Sequence, residues 1–89
     1  MASGSLSEVV LARRMLASGN GRKVRVAAGV SMGELARRLG VDVGAVSRWE
    51  AGLRTPRAAL AVAYLAAISE LGAAIGPADL GAHLMAADE

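Results

Sequence analysis

Residues 31–56 read SMGELARRLGVDVGAVSRWEAGLRTP. Ser31 is a helix-capping residue, and Leu35, Ala36 and Leu39 behind it fall on one helical face. Gly40 stops that segment, and Asp42 caps a second one, in which Val46 and Trp49 stand three apart and share a face of their own. The spacing predicts helices over 32–39 and 43–51, with Gly52 ending the second. Two short helices joined by a tight turn around glycine make a helix-turn-helix, whose second helix is shaped to enter the DNA major groove. Ala36 stands where the two helices cross closely, so a small side chain is needed there. Gly40 stands where the chain turns sharply, with an expected φ > 0 that only Gly accepts without steric cost.

The same run resembles the Cro/repressor-type helix-turn-helix family, also called the xenobiotic-response-element family. The residues that carry the resemblance are Leu35-Ala36, Gly40-Val41, Val46-Ser47, Glu50, Gly52 and Pro56, at the family's spacing, and it extends less sharply back over Arg25 to Ser31. About half of the chain is covered strongly and most of it loosely. Two positions depart from the family's pattern: Gln is frequent at the starts of its second and third helices, where this chain has Met32 and Val43. The resemblance implies an all-α, lambda-repressor-like fold of bacterial or bacteriophage type. It also implies an ion pair between Glu50 and Arg25, the Arg four residues before Gly29, which would fix the recognition helix against the helix before the motif. Met32 falls near where family members touch phosphate, and the N–H groups of its helix terminus suit that role.

Outward from the motif, the chain reads as a compact domain of five or six helices spanning 1–89. Ser7 can cap an N-terminal helix from Glu8 to about Ala17, within a segment 7–18, with Val9, Val10, Leu11, Met15 and Leu16 at roughly helical spacing. Ser18 to Gly21 is a break in which Ser18 or Asn20 can cap the next helix, about Asn20 to Ala28. Val24-Arg25-Val26 alone would also pass for a strand, but the family places a helix there. The motif proper takes 31–51. Pro56 suits the first turn of the following helix, which runs to about Leu71. Gly72 and Gly76-Pro77 then separate it from a short final helix ending near Ala86, so that 57–86 holds C-terminal helices for the core and for dimerisation.

Charge is divided along the chain more sharply than its net value of +2 suggests. All ten basic residues lie between Arg13 and Arg57 against four acidic ones, whereas residues 58–89 hold four acids and no Lys or Arg. The basic part bears the motif and would face a polyanion; the acidic, apolar part would build the core and a partner surface. For an isolated run of Arg, solvation of a helix face is the plainer explanation. Its coincidence with the motif favours nucleic acid.

Within the recognition helix, Val46 should be core and Trp49 at least partly so, which makes base stacking the poorer reading of Trp49. Val43, Gly44, Ser47 and Arg48 fall on the other face or near the N-terminal end, the part that reaches base edges. Arg48 is the most informative, since a guanidinium can grip guanine O6 and N7 together; a phosphate contact is the alternative. Val43 suits a thymine methyl, Ser47 a base edge or phosphate, and Gly44 a close approach of backbone. Candidate phosphate contacts are Arg22, Lys23, Met32, Arg37, Arg38, Arg54, Thr55 and Arg57.

Other chemistry is thinly represented. Cysteine is absent, and the single His83, four after Asp79, suits a surface pair rather than a metal site. Gly19-Asn20-Gly21 lacks the Lys-Ser/Thr ending of a phosphate-binding loop, and no nucleophile–base set is visible, so neither an enzyme nor a cofactor is expected. No signal peptide is read at the N-terminus, and the uncharged run 58–69 is too short to span a bilayer, so a cytoplasmic protein is expected. The favoured function is a sequence-specific regulator binding double-stranded DNA, a repressor or Cro-like switch protein with no room in this chain for a sensor. The alternative is a protein-interaction module on the same fold, such as an antitoxin or a transcription adaptor. Leu60, Tyr64, Ala67 and Leu71 form a core-facing stripe, and Val62, Leu65, Ile68, Leu80 and Leu84 are left for a homodimer surface.

Overall fold

Five helices make up the regular structure of the described residues: α1 (Leu6–Ser18), α2 (Asn20–Ala27), α3 (Met32–Leu39), α4 (Val43–Glu50) and α5 (Ala58–Ala87). The computed structural model describes residues 5–87, with side chains through residue 76, and no strand occurs among them. The expected Asp79–His83 pair and the apolar Leu80, Leu84 and Met85 therefore lie outside the described side chains.

Capping chemistry fixes most of the helix starts. At α3, Ser31 Oγ accepts from the Glu34 amide at 3.0 Å, while Glu34 Oε1 accepts from the Ser31 amide at 2.8 Å, so two otherwise orphaned donors are satisfied reciprocally. At α4, Asp42 Oδ1 accepts from the Ala45 amide at 2.9 Å. Gly40 takes φ 73° at the end of α3, the left-handed turn expected of it. The N-terminal helix begins earlier than expected. Ser5, not Ser7, is its cap, because Glu8 stands three residues after Ser5 and closes a second reciprocal pair with it. Pro56 lies two residues ahead of α5 rather than in its first turn.

Gly72 does not end α5. The helical backbone continues through it and is interrupted at Gly76 alone, which has φ 83° and ψ 157°. The stretch Ala58–Gly76 is consequently 19 residues long with a mean hydropathy of 1.8, so the helix outruns the uncharged segment 58–69 and is long and apolar enough, by length and composition only, to cross a membrane. In this fold its inner face is a core face.

That core joins Leu16 of α1, Val24 of α2, Leu35 and Ala36 of α3, Val46 and Trp49 of α4, and Tyr64, Ala67 and Ile68 of α5. Leu60 and Leu71 pack half-buried against it, so the expected stripe does face inward. Ile68 does not belong to an outward surface: it is 1% exposed. Standing four residues after Tyr64, it shares Tyr64's face of the helix. Val62 and Leu65 are half-buried. On α1 the inward residues are Val9, Ala12 and Leu16, which leaves Val10 and Leu11 about half exposed, at 51% and 54%.

Candidate nucleic-acid interface

The two faces of α4 differ in what they meet. Val46 and Trp49 are buried, and the Trp49 ring stands edge-on to Tyr64 with centroids 6.4 Å apart. Val43, Ser47 and Arg48 are exposed, and Gly44 is half-buried beside them. The loop that follows is tied to the same helix, because the amides of Leu53 and Arg54 both donate to the Arg48 carbonyl, at 2.9 and 3.3 Å. Arg54, Thr55 and Arg57 are exposed on that loop. Arg48, Arg54 and Arg57 all border one open cleft of about 210 Å³ whose floor includes Trp49, Pro56 and Leu60. Arg13 comes from the other end of the chain to donate to the Pro56 carbonyl at 3.3 Å, and with Arg54 and Thr55 it lines an adjoining cleft. Its part in holding this loop had no local signal in the sequence, since the partner is 43 residues away.

The back of α4 is held by a buried polar cluster. Arg25 Nε and Nη2 donate to the two carboxylate oxygens of Glu50 at 3.0 and 2.7 Å, and Nη1 donates to the Val30 carbonyl at 2.9 Å. The ion-paired side chains are 8% and 4% exposed. Two parallel hydrogen bonds from a planar guanidinium fix orientation as well as distance. The pair implied by the family resemblance is thus present, and it has a third member that the sequence reading placed only as core: the Tyr64 hydroxyl donates to Glu50 Oε2 at 3.1 Å. Burial, then the neighbouring Glu50 charge and the hydrogen bond to it, push the Tyr64 phenol far above its ordinary range. Gly21 makes the arrangement possible, since a Cβ there would overlap the Tyr64 hydroxyl and ring edge.

The remaining basic candidates are distributed over the preceding helices. Arg22 and Lys23 sit in the first turn of α2, and Arg37 and Arg38 in the last turn of α3. Arg38 is drawn toward α5, where its Nη2 meets Glu70 Oε1 at 2.6 Å in an exposed ion pair. Met32 packs half-buried against the core, so its side chain serves the interior.

A family model described as helix-turn-helix matches residues 22–70, over half of the chain. No curated protein and no solved structure matches it.

Proposed function

Since the chain belongs to the Cro/repressor-type helix-turn-helix family of DNA-binding transcription regulators, we propose that it is a sequence-specific regulator that reads the DNA major groove with α4. It acts as a repressor or Cro-like switch in the cytoplasm. The observation that carries this reading is the division of α4. Its back is locked into the core, while Val43, Gly44, Ser47 and Arg48 are left at the front beside a loop bearing Arg54, Thr55 and Arg57. Arg48 reads a guanine, Val43 meets a thymine methyl, and Ser47 bonds to a base edge or phosphate. Arg22, Lys23, Arg37, Arg54, Thr55 and Arg57, with the N-terminus of α3 at Met32, hold the phosphates; Arg38 joins them only by leaving Glu70. The protein works as a two-fold homodimer through the outer side of α5 around Val62 and Leu65.

Selection of bound sequences from random duplexes, followed by titration of variants against the best site, tests the reading. Arg48→Ala should lower affinity for that site and leave non-specific binding nearly intact. Arg37→Ala or Arg54→Ala should weaken binding to every sequence and reduce the salt slope by about one unit each. An Arg48→Ala variant indistinguishable from those two would remove Arg48 from base readout. Retention on DNA no stronger than that of a neutral control would favour the interaction-module reading.

A further inference from the structure

Arg48 follows Gly44 by four residues, one helical turn, and its guanidinium lies back over that glycine. A Cβ at position 44 would stand 3.2 Å from Arg48 Nη1 and 3.7 Å from its Cζ, and 2.9 Å from Asp42 Oδ1. The Cζ distance is ordinary contact and the Nη1 distance a few tenths of an ångström short of it, so the guanidinium tip rests against the bare glycine and a side chain at 44 would press on it and shift it. The Asp42 carboxylate flanks the same point, held there by its bond to the Ala45 amide.

We propose that Gly44 is a positioning residue for Arg48: its bare backbone seats the guanidinium over the first turn of α4, next to Asp42, before any DNA arrives. A long exposed Arg otherwise samples many rotamers, and ordering them on binding weakens the contact; a seated one avoids most of that loss. The inference rests on the DNA reading above and assigns Gly44 a different part in it from direct contact with the duplex.

Gly44→Ala, Arg48→Ala and the double variant, all in the full chain, are titrated against the best selected duplex and against versions with each guanine–cytosine pair replaced in turn. Thermal melting is run alongside. Gly44→Ala should melt within a few degrees of the wild type, because the gain from Ala as the better helix former offsets what the Asp42 cap loses in clearing the added methyl. It should keep salt-dependent binding to unrelated DNA and lose about five- to a hundredfold of its discrimination at one guanine, the share of a single bidentate pair. In the Arg48→Ala background the same substitution should change nothing measurable. Wild-type discrimination by Gly44→Ala would overturn the proposal, and so would an equal loss without Arg48, which would mean that the glycine touches DNA itself. A loss that disappears in an Asp42→Ser background, where a shorter cap clears the added methyl, would trace the effect to the cap and also overturn it. Each of these outcomes requires a wild type that discriminates among duplexes. A wild type that binds none would overturn the DNA reading itself, and the role of Gly44 with it.

Discussion

Glu50 accepts three hydrogen bonds, two from Arg25 and one from Tyr64, with 4% of its side chain exposed. Taking one partner from a buried ion pair leaves the other charge uncompensated, at a cost of about 3–5 kcal/mol. Glu50→Gln keeps the shape and loses the charge, so a fall of about 3 kcal/mol in unfolding free energy is expected, together with weaker DNA binding. Urea unfolding and a duplex titration would both have to be unchanged for the pair to be irrelevant to α4. Tyr64 gives a second prediction, at high pH. Its folded-state pKa is raised above the ordinary value of 10.0, so the folded chain keeps a proton that the unfolded chain releases. The stabilisation is complete below that value and is lost progressively as pH rises above it. Tyr64→Phe should remove this alkaline slope and cost about 1.5–3 kcal/mol at neutral pH for the hydrogen bond to a charged group. Melting series of both proteins above pH 10 check it: the same slope in each would assign it to other groups.

At the ends of α3 and α4 the punctuation was legible because it is local. Ser31, Gly40 and Asp42 act within three residues of their own position, and their roles follow from residue type. The start of α1 was equally local: Glu8 stands three after Ser5, the spacing of a reciprocal cap, and that spacing outweighs the nearer Ser7. What could not be read is non-local. α5 is apolar nearly all round, so periodicity alone does not choose its inner face and leaves Ile68 free to be read as outward. Gly72 stays helical where it passes close to Val24, whereas Gly76 takes a φ that interrupts the regular backbone. The Tyr64 and Arg13 bonds cross long stretches of chain. Ser31→Ala should cost about 1 kcal/mol, the usual loss at such a cap. It also bears on acid stability. The Ser31 amide first, then its hydroxyl, holds the Glu34 carboxyl below its ordinary range. That contribution is present above the ordinary carboxylate range and lost as pH falls through the lowered folded value. Comparing wild type with Ser31→Gly and Glu34→Gln between neutral and acid pH isolates it; identical acid limbs in wild type and Glu34→Gln would show that the carboxylate adds nothing.

For the whole molecule, charge and apolarity are segregated: Lys and Arg end at Arg57, just before α5 begins. Val62 lies nearly opposite Tyr64 around α5 and is half-buried, which leaves part of it for the proposed second copy to cover. Sedimentation equilibrium at micromolar concentration should find a dimer, and Val62→Lys should give a monomer that melts close to the wild type. Paired recognition helices would then lie about 34 Å apart on a near-palindromic site. A strict wild-type monomer binding a lone half-site at full affinity would end the dimer reading. The placement of Trp49 has a practical consequence as well. It is the chain's one tryptophan, buried on the inner side of the helix whose outer side carries Arg48. Its fluorescence should therefore shift strongly when the core opens, and, because the ring also floors the cleft that Arg48, Arg54 and Arg57 border, change to a smaller extent when a duplex closes that cleft, giving one optical signal for both unfolding and binding without any added label.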